Sequence, residues 1–433
     1  MAPPTPGTPS LLRAINDRAA LEMLLAHGAL TRPRLGELTG LSKPTASQLL
    51  ARLEQAGLVV QDGIKGGSTG RTAEMYRIDP SAAHVAGLDV TPVRIRVAVA
   101  DLLGTVVGEH TLRTPGRSGE DVVGRVRAAV DSAARAGGLE LDRLNRVVIG
   151  IQGAVDPSTG RLGYAAHIPG WHVPDVTGRM AEGLGLRVAI ENDVNLAALA
   201  ELDHGQAAGI RDFVLLWVGN GIGMAAVLGG RLHRGATGGA GEIGYMPLAG
   251  APLVRGVRRA HTGGMQLAAG APAVLKLMRG HGFRGTDAVK TVERAAASIE
   301  RASIERAAGG ALDGGVPDGR TLDGGALAAG LPEKAADEAA RAAAALAELA
   351  ARLGIALANV TAVLDPELII LSGGVLHAGG EPLRALIERE LHALTIPRPR
   401  LRLSSVEGNP VLAGALHLAL AQARDEVFSS TFR

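Results

Sequence analysis

The most chemically suggestive residues of this chain are a carboxylate at a strand end, two glycine turns and one polar helix face. In "ENDVN" an apolar run closes on Asn192 and Asp193, and open α/β folds bind ligands at the carboxyl ends of their strands. A carboxylate there suits a bidentate grip on the hydroxyls of a sugar. "GNGIG", with Gly219, Gly221 and Gly223, and "LSGGV", with Gly373 and Gly374, leave backbone N–H groups bare, as a phosphate cradle requires. The same glycines also serve a plain chain turn. In "LSKPTASQLLARLEQ", the residues Ser42, Lys43, Pro44, Thr45, Ser47 and Gln48 lie on a face free of Leu49, Leu50 and Leu53. At the start of a DNA-reading helix such a face meets base edges. Gln48 suits adenine, Lys43 suits guanine or phosphate, and Arg52, a turn further on, suits the DNA backbone. Arg71, in the glycine-flanked "STGRT", is placed for a narrow minor groove.

These groups need elements to hold them. Leu11, Ile15, Leu21, Leu24 and Leu25 recur at roughly helical spacing and stop at Gly28, a C-terminal cap. Thr31 caps a short helix ending at Gly40. Ser42 caps a third helix, with Pro44 in its first turn, that runs to Gly57. Two strand-like runs, "LVVQDG" and "AEMYRID", then bracket a Gly-rich hairpin tip. The spacing predicts a winged helix-turn-helix, an α+β module, over residues 11–80 behind a disordered tail at 1–10. From residue 81 to 433 apolar strand-like runs alternate with Ala-rich helices, the pattern of an α/β domain with largely parallel sheets. Its two Gly-rich strand ends point to two similar subdomains around a cleft. Within it, "GLDVTPVRIRVAVADLLGTVV" reads as two buried strands joined by a tight turn. Residues 282–335, with the repeat "ASIERASIER" and two copies of "LDGG", read as a low-complexity surface insertion.

Composition narrows the classes. With 433 residues and 46% apolar side chains, the chain can build two or three domains with sizeable cores. The absence of any cysteine excludes disulfides, thiolate catalysis and cysteine-ligated zinc or iron–sulfur centres. No run of eighteen apolar residues and no signal-like N-terminus is seen, so a cytoplasmic location without a membrane partner is expected. The first 80 residues hold nine Lys/Arg against seven Asp/Glu, which places the whole formal excess of +2 on the DNA-reading module.

The order of motifs resembles one family. A winged helix followed by "GLDV", "GIQGAVDPSTGRL", "IPGW", "ENDVNLAALAE", "GNGIGMAAVLGGRLHRGATGGAGEIGYMPL" and "LDPELIILSGGV" is similar to the ROK family of repressors, open reading frames and kinases. The resemblance runs from Leu11 nearly to the end and is most specific over residues 219–245. With the winged helix in front, the chain looks like the sugar-responsive branch, that of the xylose and N-acetylglucosamine repressors. The resemblance implies an actin-like, sugar-kinase fold of two subdomains. It makes Asp193 the counterpart of the kinases' general base and Glu242 a second sugar-contacting carboxylate. It places Asp89, Gly219, Gly221, Gly223, Gly373 and Gly374 around a vestigial nucleotide site.

Departures from the family weigh as much. Tyr245 stands where the family has a zinc- and sugar-binding histidine, Gln266 where it has a third sugar-contacting glutamate, and His167 where an asparagine often contacts sugar. The family's cysteine-rich zinc loop is replaced by "PLAGAPLVRGVRRAHTGG", so no metal is expected; His261 alone cannot build a tetrahedral site. After Asp89 the family's glycine pair is Thr91 and Pro92. Proline lacks the N–H and its ring fills the space a phosphate would take. The expected function is a transcriptional repressor, not an enzyme, with no cofactor. Its expected partners are a double-stranded operator, a sugar or sugar-phosphate effector, and itself as a homodimer or homotetramer. The competing reading is an ATP-dependent sugar kinase that also binds DNA. Asp193 favours that reading; Pro92 opposes it. A third reading is a regulator that answers to a protein partner through the altered cleft.

Overall fold

A computed structural model of the chain describes residues 9–66, 72–114, 121–165, 168, 170–248, 264–310 and 332–429. The chain opens with α1 (Pro9–His27), β1 (Leu30–Thr31), α2 (Arg32–Thr39), α3 (Lys43–Gln55), β2 (Val59–Gly66) and β3 (Thr72–Ile78). Next come β4 (His84–Thr91), β5 (Arg94–Asp101), β6 (Val106–Arg113), α4 (Val122–Ala136), β7 (Leu144–Ile151), β8 (Ala154–Val155), β9 (Leu162–Gly163), α5 (Val176–Leu184) and β10 (Arg187–Asn192). There follow α6 (Asp193–His204), β11 (Phe213–Val218), β12 (Ile222–Leu228), β13 (Arg231–His233), α7 (Gly264–Ala269), α8 (Ala271–Gly280) and α9 (Ala288–Gly310). The last are α10 (Glu333–Leu364), β14 (Leu368–Ser372), α11 (Gly374–Leu394), β15 (Arg400–Leu403) and α12 (Pro410–Ser429). Contacts divide these into two compact units, one of Met1–Ile151, Asp175–Glu191 and Leu412–Arg433, the other of Gln152–Pro174 and Asn192–Val411.

The first unit begins with the winged helix. Thr31 accepts a hydrogen bond from the Arg34 amide, and Gly40 closes α2 in the left-handed conformation. Ser42 accepts from the Thr45 amide at the head of α3. Each such side-chain cap stabilises its helix by roughly 1 kcal/mol. The turn between α2 and α3 is tight enough that a Cβ on Gly36 would sit 3.1 Å from the Leu41 carbonyl oxygen. β1, β3 and β2 form the wing sheet in that order. The core joins Leu21, Leu24, Leu35, Leu49, Leu50, Leu53, Tyr76 and Ile78 to Ala83, Leu102 and Phe428. The module is therefore packed into its unit through α12, and Arg18 adds a 2.7 Å ion pair to Asp425.

The rest of this unit is a sheet of order β10-β7-β4-β5-β6. β4 pairs parallel with β7 but antiparallel with β5, and β5 with β6, so the sheet is mixed where the sequence suggested a largely parallel one. The short link between β4 and β5 cannot make a crossover, so those strands must run antiparallel. Gly87 lies under α12, where a Cβ would come within 2.8 Å of the Leu416 nitrogen.

The second unit repeats this plan. Its sheet runs β13-β12-β11-β14-β15, with β14 parallel to both neighbours and β12 antiparallel to β11 and β13. One face carries the core of α8, α9, α10 and α11. α10 is long and apolar enough to cross a membrane, but its Leu346, Leu349, Leu353 and Leu357 are fully buried in this core. α9 corrects the expectation for 282–335. Val292, Ala295, Ala296, Ile299 and Ala302 are buried, so one face of this stretch belongs to the core, while Ile304 in the second copy of the repeat is 69% exposed. Its alanines recur at helical spacing and fit against α10 and α11. Residues 311–331, the rest of that stretch, lie outside the described residues.

Candidate functional site

At the head of α3, Ser42, Lys43, Pro44 and Gln48 are exposed, while Thr45 and Ser47 are half-buried. The Ser42 hydroxyl pairs with that of Thr45 at 2.8 Å, which leaves the cap occupied and the neighbouring Lys43 and Gln48 to face outward. Arg52 behaves differently. Its guanidinium donates to Asp17 of α1 at 2.6 Å, and Asp17 is nearly buried. The side chain expected at the DNA backbone thus locks α3 to α1, a role its sequence position did not reveal. Arg32 braces the wing from the other side, donating to Glu74 and Tyr76. Arg71 lies outside the described residues.

The second unit brings Asp193, Glu242 and Tyr245 together. Asp193 opens α6, where its carboxylate accepts from the Val194 amide at 2.9 Å. Glu242 sits on a glycine-built loop in which Gly241, at φ 91°, accepts from the Met224 amide. Burial, and secondarily the charge of Asp193, push the Glu242 carboxyl up to about 7. Burial and the Glu242 charge likewise raise the Tyr245 phenol. The site therefore offers, near neutral pH, one carboxylate and one carboxyl group poised to keep its proton, a donor and acceptor set for hydroxyls.

Tyr164 completes this group and was not anticipated. Its ring lies 6.0 Å from that of Tyr245 at a tilt of 55°, and its backbone adopts φ 58°, rare for a side chain of that size. Gly239 makes room: a Cβ there would stand 2.8 Å from the Tyr164 hydroxyl. The signal is tertiary, since nothing periodic in "RLGYAAH" marks it. Tyr245 thus packs against a second aromatic ring.

Two expected effector contacts turn out to be braces. Asn192 caps α6, accepting from the Val194 and Asn195 amides, and donates to the Gly153 carbonyl at 3.0 Å. Gln266 is buried; it accepts from the Ile222 amide at 3.0 Å and donates to the Asn220 carbonyl at 3.3 Å. Both polar ends are used to hold the "GNGIG" turn, so its expected place as an effector contact is corrected to a positioning one. His167 lies outside the described residues.

The glycines also have packing reasons to be there. A Cβ on Gly223 would meet Val194 at 2.9 Å and one on Gly374 would meet Val289 at 2.9 Å, while Gly373 holds φ 91° against Val218. Gly221 has more room, its nearest neighbour being Gln266 at 3.8 Å, and Gly219 lies against the Trp217 ring. In the first unit Asp89 is buried on β4, opposite Arg96 of β5. Beyond it the chain makes a two-residue hairpin. The Thr91 hydroxyl accepts from the Arg94 amide at 3.2 Å and donates to the Arg94 carbonyl at 3.0 Å, closing the loop where a phosphate cradle would need open amides. Pro92, at the tip of that loop, has no N–H to offer a phosphate. Among the described residues no three His, Asp or Glu side chains gather as metal ligands; His261 lies outside them. A tyrosine at position 245 and the lack of thiolates do not fit the family's zinc.

The ROK family model matches residues 85–272 and 304–422, and the MarR family model matches residues 15–64. The putative xylose repressor of Caldicellulosiruptor sp. strain Rt8B.4 is 27% identical over 244 residues, which is 56% of this chain and 61% of that one. The crystal structure of a ROK hexokinase from Thermus thermophilus superposes with a TM-score of 0.57 at 26% identity, covering 79% of this chain and 99% of that one. A ROK family transcriptional regulator, a homologue of the E. coli MLC protein, gives a TM-score of 0.66 at 19% identity over 97% and 99% of the two chains, a likeness of fold. The chain spans 61% and 60% of the length of two curated xylose repressors that it matches.

Proposed function

The chain belongs to the ROK family, and from that premise we propose that it is a DNA-binding transcriptional repressor whose kinase-like domain holds a sugar or sugar-phosphate effector without phosphorylating it. The observation that carries this reading is the pairing of an intact acid group, Asp193 with Glu242, with a hairpin at Thr91 and Pro92 where a kinase cradles phosphate. A sugar hydroxyl can be gripped by the acid pair, while Pro92 has no amide to offer a donor phosphate. The DNA-reading face of α3 supplies the output. As a homodimer or homotetramer, the protein presents paired winged helices to an operator of inverted symmetry, and effector binding changes their spacing or mobility. Such coupling requires only that effector affinity differ between the DNA-competent and DNA-incompetent states.

The experiment is a selection of genomic fragments by the full chain, followed by titration with neutral sugars and sugar phosphates. A specific, salt-sensitive complex released by one sugar class supports the reading. Turnover of ATP with any sugar in an ADP-release assay would replace it with the bifunctional kinase.

A further inference from the structure

We propose that the groove at the amino ends of β4, β7 and β10 is a second ligand site, built for a hydroxylated oxyanion of metabolite size. It lies within the first unit, on the strand ends opposite to the one that carries Asp89. The cavity measures about 600 Å³, within the range of small-molecule sites, and Ser81, Asp142, Arg143, Asn145, Arg187 and Glu426 contribute its polar lining.

Charge and hydrogen bonding define the occupant. Glu426 is met by two guanidiniums, Arg146 at 3.2 Å and Arg187, so one carboxylate stands against two cations. Arg143 is exposed and makes no side-chain hydrogen bond among the described residues, although it acts electrostatically on His84. Against Asp142 alone, the surplus remains positive. The side-chain oxygen of Asn145 is buried without a hydrogen-bond partner, and the Nε of Arg146 is in the same condition. A buried orphan acceptor costs about 1–3 kcal/mol, which a ligand hydroxyl would relieve once the Asn145 side chain turns toward the groove. An anionic group for Arg143 and Arg187, joined to a hydroxyl for Asn145, describes a hydroxy acid or a sugar phosphate.

The place of the groove gives such a ligand consequence. Ser81 belongs to the turn Pro80–Ala82, which links the wing to the sheet, and Leu102 donates to the Pro80 carbonyl at 3.0 Å. Two residues beyond Glu426, Phe428 enters the winged-helix core. The occupant touches both the covalent link and the packed helix that anchor the DNA-reading module.

Calorimetric titration of the full chain with citrate and with glucose 6-phosphate tests this. Saturable binding of either supports the site, citrate marking a carboxylate source and glucose 6-phosphate a phosphate-ester source. That binding is expected to survive Asp193→Asn and to weaken at least tenfold in Arg143→Gln, a change at an exposed side chain whose unfolding curve should match the parent's. Asn145→Ala is expected to weaken binding without lowering thermal stability, since it removes an unsatisfied acceptor. The proposal fails if neither compound binds saturably, if binding survives Arg143→Gln, or if it depends on Asp193. The last result would place the anion in the effector cleft and leave the repressor reading untouched.

Discussion

The guanidinium of Arg52 lies 2.6 Å from the nearly buried carboxylate of Asp17, fastening the DNA-reading helix to α1. Removing the cation strands a buried charge, so Arg52→Ala should destabilise the winged helix. A fully buried pair costs about 3–5 kcal/mol to break, and Arg52, with 38% of its side chain exposed, falls at the low end, about 3 kcal/mol. Chemical denaturation reads this directly. The double variant Asp17→Leu, Arg52→Leu should recover most of the loss, because it leaves neither charge unpaired.

Lys43 and Gln48 should separate cleanly from Arg52. Lys43→Ala is expected to weaken DNA binding at every sequence and to lower the salt slope by about one, as one phosphate contact does. Gln48→Ala should instead relax preference at a single base position, at a cost of about 1–3 kcal/mol. Anisotropy titrations at several salt concentrations, with operator variants, distinguish the two. Equal weakening of specific and non-specific binding by Gln48→Ala would show that it reads no base.

Local rules set much of this chain's structure, and tertiary contacts set the rest. Thr31, Gly40 and Ser42 announced their caps because capping is settled within four residues. The strands around Asp89 and Asp193 were legible from their apolar runs. β6 was not, since Glu109, Thr111 and Arg113 alternate outward on an edge strand, nor was β15, only four residues long with two arginines. The core-facing α9 hid behind a repeat whose low complexity imitates a loop. At the site, Asp193 and Glu242 could be named from motifs, whereas Gln266 and Asn192 could not be told from ligand contacts until their hydrogen bonds were seen.

Glu242 should give the fold a pH dependence. Its native carboxyl is raised from 4.5 to about 7, so over that interval the folded chain keeps a proton that the unfolded chain has lost. The stabilising contribution is complete below the ordinary carboxylate range and fades as pH rises through about 7. Glu242→Gln, neutral throughout, should gain stability relative to the parent as pH increases, by on the order of 3 kcal/mol above neutrality. Denaturation curves at several pH values check this; parallel profiles for the two proteins would mean that Glu242 ionises freely.

The hairpin at Thr91 predicts the outcome of restoring kinase-like glycines. Thr91→Gly with Pro92→Gly removes the two hydrogen bonds to Arg94 and frees the loop, at a loss of about 1–2 kcal/mol. It should not create sugar phosphorylation, because a cradle needs its amides held in a fixed array, and a turn loosened by two glycines does not hold them so. ADP release above background in that variant, but not in the parent, would reveal a nucleotide site otherwise complete.

Gly223→Ala tests what the glycines of "GNGIG" are for. The added methyl would meet Val194 at 2.9 Å, on the first turn of α6 beside Asp193, so either the helix shifts or Val194 turns off its rotamer. Overpacking of this kind costs about 1–3 kcal/mol. If the glycine serves packing, the variant should lose stability and effector affinity together, and the smaller Val194→Ala should restore effector affinity in the double variant. If it served a nucleotide, Gly223→Ala would change ATP binding alone, and Val194→Ala would rescue nothing. Thermal shift with and without the effector sugar, and with ATP, separates these outcomes in one plate.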